Sequence, residues 1–251
     1  MRIPPVLVLL AIPLLLAPAA APAQGSFTEA QRAEIVGILR RALIEDPSIL
    51  REALAGFEAA EQRARSEQQR AALARNADAL FRDPADPVRG NPNGDVTIVE
   101  FFDARCSYCK QMHPAMDALL RRDPNIRVVM KDLPILGPSS VVASRALLAS
   151  QRQGRYVAFQ DALMALRVEP TEAVLREQAQ RVGLDWTRLR RDMDDPAIMR
   201  RIEANLRLAQ EVGVAGTPAM VIAAAGAPSF LPGAVELPQL ERVVAEARAA
   251  R

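Results

Sequence analysis

The stretch Cys106-Ser107-Tyr108-Cys109 holds the chain's only two cysteines and constrains its fold more than any other feature. It lies where a very apolar run, Val96 to Phe102, gives way to a helix-like run starting near Cys106. A thiolate at a helix start faces free backbone N–H groups and the positive end of the helix dipole, which lowers its pKa and raises its nucleophilicity at neutral pH. Cys-x-x-Cys in that setting reads as a redox dithiol. A purely stapling disulfide is the weaker reading, because so small a loop constrains the unfolded chain little. A zinc site needs more Cys and His than this chain offers, since it has a single histidine.

Composition narrows the class. Half of the 251 residues are hydrophobic, which suits a real core with an appendage. Net charge is only +2 with acids and bases interspersed, and aromatics make up 4%. That leaves neither a nucleic-acid footprint nor stacking platforms, so no nucleic-acid partner is expected. Met1 to Ala23 has an early Arg, an apolar run from Val6 to Leu16 and the small-residue ending Ala21-Pro22-Ala23. It reads as a cleaved export signal, with the mature chain starting near Gln24 in a compartment that favours disulfides.

Residues 24–82 read as a helical arm and linker. Thr28 with Glu29 and Gln31 can open a helix carrying Ile35, Ile38, Leu39 and Leu43 at helical spacing. Asp46-Pro47 restarts a second helix with Ile49, Leu50, Leu54 and Phe57 on one stripe. Two short helices cannot bury such stripes by themselves, so the segment either folds back on its own catalytic domain or self-associates. The polar, Ala-rich spacer after Glu58 separates it from the rest, and self-association is expected. Asp83-Pro84-Ala85-Asp86-Pro87 marks the boundary of a domain over 83–251. There a strand at Val96–Phe102, the helix after Cys106 and a strand at Ile126–Met130 form a right-handed crossover of parallel strands. Residues 138–212 give only amphipathic helices, punctuated by Gly154, Thr171, Asp185 and Asp195. A short strand at Ala219–Ala223, a possible hairpin partner at Ser229–Val235 and a last helix from Leu237 complete an α/β domain.

These marks resemble the thioredoxin-fold thiol:disulfide oxidoreductases, and within them the DsbA-like group. The shared pattern is a strand, Cys106 and Cys109 opening a helix, Pro114, and the dipeptide Thr217-Pro218. The helical arm, Phe101-Phe102-Asp103 and the run Lys131 to Gly137 look more narrowly like the ScsC (suppressor of copper sensitivity) proteins, periplasmic thiol isomerases with an N-terminal oligomerisation arm. The resemblance implies Cys106 as attacking thiol, Cys109 as resolving thiol and a cis peptide before Pro218. It also implies Glu100 as proton acceptor for the buried thiol; the alternative for Glu100 is an ion pair with Lys131 on the neighbouring strand. Ser107 and Tyr108 would tune redox poise, and Thr217 with Pro218 would receive an extended substrate segment. In the resemblance, Thr before the cis-proline is more typical of isomerases and Val of the oxidase, so Thr217 leans the expectation towards isomerase.

The expected function is therefore a periplasmic, oligomeric disulfide isomerase or reductase acting on exported proteins. It would be served by a membrane thiol reductase or oxidase, use no cofactor beyond the Cys106–Cys109 couple, and be linked to copper tolerance. A monomeric DsbA-like oxidase is the nearest alternative. A copper-binding protein using Cys106, Cys109 and His113 is the alternative of another class, with His113 otherwise a helix-packing or surface residue.

Overall fold

The computed structural model describes residues 27–224 and 226–250, so the export signal expected from the sequence lies outside the described residues. The described residues divide into two compact units, the first ending at Glu61 and the second starting at Gln62. In the first, α1 (Glu29–Glu45) starts at Thr28, whose side chain accepts the Gln31 N–H while Gln31 Oε1 accepts the Thr28 N–H, a closed capping box. Asp46 ends α1, and its carboxylate accepts the Ser48 N–H at 3.0 Å, opening α2 (Ser48–Arg75). No residue of α1 is buried. Its apolar stripe stays in water, with Leu39 57% exposed, and on α2 Phe57 is 63% exposed.

The second unit begins at Gln62, earlier than the proline-rich boundary suggests. The reason is apolar burial. The end of α2 and the short α3 (Ala77–Phe81) deliver Leu73 and Leu80 to a core with Val99, Phe101 and Val129. The polar spacer is thus continuous helix with one buried edge at Ala72 and Leu73.

A five-stranded sheet carries this unit, in the order β1-β3-β2-β4-β5. The strands are β1 (Val88–Gly90), β2 (Val96–Phe102), β3 (Ile126–Asp132), β4 (Ala219–Ala223) and β5 (Ser229–Pro232). β2 runs parallel to β3 and antiparallel to β4, and β1 and β5 form antiparallel edges. The helix α4 (Ser107–Arg122) makes the crossover from β2 to β3. Strand alternation sends Ile98 and Phe102 to one face, with Cys109, Met112 and Met116 of α4, and Val99 and Phe101 to the other. Each buried Phe contributes roughly 1.5–3 kcal/mol relative to exposure.

Five helices fill the stretch between β3 and β4: α5 (Pro138–Gln151), α6 (Tyr156–Met164), α7 (Glu172–Arg181), α8 (Trp186–Met193) and α9 (Pro196–Glu211). Thr171, Asp185 and Asp195 cap the last three by accepting backbone N–H groups. α6 lacks such a signal, since Arg155 makes no side-chain cap. Tyr156 Oη donates to Asp132 Oδ2 at 2.7 Å and Asn205 Nδ2 to the Asp132 carbonyl at 3.1 Å, tying α6 and α9 to the end of β3. The last helix is α10 (Leu237–Ala249), and its Leu240 and Val244 cover the α4 face of the sheet.

Candidate active site

Cys106 is the N-cap of α4. The chain reaches it through Asp103, which is fully buried and acts as a clamp. Its carboxylate accepts the N–H groups of Arg105, Ile135 and Leu136 at 2.8, 3.0 and 3.1 Å, and its carbonyl accepts the Cys106 N–H at 3.0 Å. The run Lys131 to Gly137 thereby fixes the dithiol loop, a link that sequence spacing alone does not reveal.

The two thiols differ in surroundings. Cys106 Sγ accepts the Cys109 N–H at 3.5 Å and donates to the Thr217 carbonyl at 3.2 Å. Its pKa falls to about 5, chiefly through hydrogen bonding from the Cys109 thiol; burial opposes this, and the Thr217 side chain and the N–H groups of Cys109 and Tyr108 assist. Cys109 is fully buried, and its thiol is pushed well above the ordinary range by its bond to Cys106 and by burial, with the Cys106 and Glu100 charges adding to the rise. One thiol is thus available as thiolate at neutral pH, while the other keeps its proton until a base takes it. Tyr108 is 62% exposed and Ser107 is exposed, so both stand at the rim. Thr217-Pro218 is cis, and places the Thr217 carbonyl against Cys106.

Glu100 occupies the middle of β2, 2% exposed, on the strand face shared with Ile98 and Phe102. Burial raises its pKa to about 7, against the lowering effect of His113 and Arg89, while Asp117 raises it further. The alternative reading, an ion pair with Lys131, is not realised. In the register Glu100 lies opposite Met130 and Phe101 opposite Lys131, so Lys131 points to the other face. There its Nζ donates to Asp86 Oδ2 at 2.6 Å and to the Ala79 carbonyl at 2.7 Å, and Arg201 holds the other Asp86 oxygen at 2.5 Å.

His113 does not follow the copper-ligand alternative. Its Nε2 lies 3.0 Å from Asp161 Oδ1 and 3.9 Å from Asp117 Oδ2. Among the described residues, His113, Asp117 and Asp161 form the one group whose spacing could hold a metal ion, and neither cysteine belongs to it. Arg89 already pairs with both of these carboxylates. A three-ligand site of Cys106, Cys109 and His113 is therefore not assembled. The helix after Cys106 instead carries a polar cluster behind Glu100, and Pro114 sits inside α4, where it supplies no N–H to the helix ladder.

A central parallel pair, a thiol capping the crossover helix and a cis-proline strand start facing that thiol define a thioredoxin-fold dithiol protein. The family model for the DSBA-like thioredoxin domain matches residues 97–245, and the chain belongs to that family. Its structural neighbours are thiol-disulfide oxidoreductases of ScsC and DsbA type. A thioredoxin-like oxidoreductase from Silicibacter pomeroyi is 44% identical with a TM-score of 0.66, covering 69% of this chain and 98% of that one. The catalytic domain of Proteus mirabilis ScsC is 32% identical with a TM-score of 0.65, covering 72% and 98%. The thiol-disulfide exchange protein alpha-DsbA2 of Wolbachia pipientis is 28% identical with a TM-score of 0.67, covering 73% and 97%. Among curated proteins, a Na(+)/H(+) antiporter NhaA 1 of Salinispora arenicola is 36% identical over 145 residues, which are 55% of this chain and 22% of that protein. The chain thus spans under a quarter of the length of the curated relatives it matches.

Proposed function

We propose that this chain is an exported thiol:disulfide interchange protein that isomerises or reduces wrong disulfides in exported proteins. The observation that carries this reading is the unequal thiol pair, Cys106 pulled down to about 5 and Cys109 pushed up, at the start of α4 and against Thr217.

The Cys106 thiolate attacks one sulfur of a client disulfide. A Cys106–client bond forms, the client S–S bond breaks, and the other client sulfur leaves as thiolate. In isomerisation that freed thiolate attacks elsewhere in the client, and a client thiolate finally returns to the mixed disulfide and releases Cys106 unchanged. In reduction Glu100 takes the Cys109 proton, and the Cys109 thiolate attacks Cys106 Sγ. The client then departs reduced, and the protein carries a Cys106–Cys109 disulfide. The two electrons lost must be returned by a thiol donor, for which a membrane thiol reductase is the natural class. The Cys106–Cys109 couple serves as the only redox group in this scheme.

The thiol pKa supports a middling oxidant. Strong oxidants of this chemistry bring the attacking thiol to about 3.5 and reductants leave it near 7. Cys106 at about 5 falls between them. The exposed apolar stripe of the arm supports self-association, which brings a second dithiol near a bound client and so favours isomerisation. Export to the periplasm rests on the N-terminal signal pattern and on likeness to a periplasmic thioredoxin-like protein of Salmonella enterica, 36% identical. Protection against copper-driven disulfide errors would follow from the same repair chemistry. Refolding of scrambled ribonuclease tests the reading against oxidation of reduced ribonuclease; faster oxidation than reshuffling would assign the chain to a dithiol oxidase instead.

A further inference from the structure

Beside the dithiol, and unused by the exchange chemistry, lies a cleft of about 470 Å³ between the first turns of α4 and the 165–170 segment that joins α6 to α7. Its near wall is Arg105 and Ser107, the residues on either side of Cys106 in the chain. Three cations line it, Arg105, Lys110 and Arg167, against one carboxylate, Glu169. That carboxylate is already engaged, since Arg105 Nε and Nη2 donate to Glu169 Oε2 at 3.2 and 2.9 Å. Arg105 also donates to the Leu136 carbonyl, which holds the guanidinium at the cleft edge. Lys110 Nζ donates to the Leu166 carbonyl at 2.8 Å, which fixes the ammonium there but does not neutralise it. Arg167 is exposed and has no carboxylate within ion-pair distance among the described residues. Lys110 is held below its ordinary pKa by burial and then by the Arg105 and Arg167 charges. Cations gathered in a partly desolvated recess and short of counter-charge favour an incoming anion over a neutral group.

We infer that this cleft reads the acidity of the client: it binds an Asp or Glu side chain close in sequence to the client cysteine that reacts with Cys106. The inference rests on the thiol-exchange reading above. Reach fits the assignment. An extended segment rises about 3.3 Å per residue, so a carboxylate two or three positions from the reacting cysteine lies about 7–10 Å from it along the strand. Arg105 and Ser107 of the cleft wall flank Cys106 in the chain, so the cleft opens one residue from the reacting cysteine. Apolar lining from Leu166 and Val168 can cover the methylenes of the acidic side chain.

The test uses the reduced full chain and two disulfide-linked peptides, identical except for Glu or Gln two residues from the cysteine. Mixed-disulfide formation is followed at low and high salt, with neutral hydroxyethyl disulfide as reference. The Glu peptide should react about tenfold faster at low salt, and the preference should shrink as salt rises. In the Lys110→Gln/Arg167→Gln double variant the ratio between the two peptides should fall to within about twofold, and Arg167→Glu should lower it also. Arg121→Gln removes the same charge from the exposed end of α4 and should leave the ratio intact. The ratio, unlike a rate, is independent of any change in thiol reactivity. Equal rates for the two peptides, or a preference that survives the double variant, would overturn the cleft. No reaction with the neutral disulfide would overturn the exchange reading together with it.

Discussion

Two regions of this chain carry the same kind of apolar helical stripe and do opposite things with it. In the catalytic unit, α4 turns Met112, Met116 and Leu119 into a closed core. In the arm, α1 buries nothing, and Ile38, Leu39 and Leu54 remain half exposed or more. The stripes are alike in spacing, so the difference lies in what is available to cover them. A sheet of five strands covers α4, whereas residues 27–61 contain only two helical segments. An unmet stripe on a well-capped helix marks where a partner surface is needed, and the self-association proposed above would supply it.

The largest effect is expected at the dithiol. Cys106→Ala should reduce disulfide exchange on the order of 10³-fold or more, while Cys109→Ala should trap client on Cys106 as a mixed disulfide visible on a non-reducing gel. If the Cys106→Ala protein traps client on Cys109 instead, the assignment of roles is reversed. The next effect belongs to the arm. Ile38→Glu with Leu54→Glu places charge on the exposed stripe, and light scattering should then show a monomer. Scrambled-ribonuclease isomerisation should fall on the order of tenfold or more, with Cys106 alkylation unchanged. Retained mass and retained isomerisation would deny the arm its role.

Glu100 gives a smaller effect confined to one step. Glu100→Gln should slow release of a client from the mixed disulfide by about 10²-fold near neutral pH, without slowing the first attack. Equal slowing of both steps would instead indicate structural damage. The same carboxyl has a stability signature. Its ordinary pKa of 4.5 rises to about 7 in the folded protein. Between those values the folded state keeps a proton that the unfolded state has lost, so this group's contribution falls as pH rises. The loss is on the order of 3 kcal/mol and is complete above the folded pKa. Denaturant midpoints should therefore show Glu100→Gln gaining on the parent as pH rises from 4.5 past 7. A difference constant across that range would contradict the burial argument.

Legibility in the sequence followed the range of the forces involved. β2, α4, β3 and the last three helices of the insertion were readable because a strand run, an N-cap or a turn-forming pair sits beside each of them. β1 escaped because it is three residues on a sheet edge, too short for alternation to register. α6 escaped because Arg155 offers no cap. The Glu100–Lys131 pairing failed on parity, since a one-residue offset between adjacent parallel strands reverses the face. The Arg89, Asp117 and Asp161 cluster lay beyond reach for another reason: its ion pairs join residues 28 and 72 positions apart, and no local pattern encodes them. Asp103 had a weak cue in Asp-Ala-Arg before the first cysteine, but its bonds to Ile135 and Leu136 depend on the folded loop.

The arm, the cleft and the buried carboxyl all take their meaning from a single reactive sulfur. The direct test is the pH dependence of alkylation of the reduced protein, followed together with the ultraviolet absorbance of the thiolate. One titration with a midpoint at about 5, and modification of Cys106 alone, is the expected result. A midpoint near that of a free thiol, about 8.5, or earlier modification of Cys109, would contradict it.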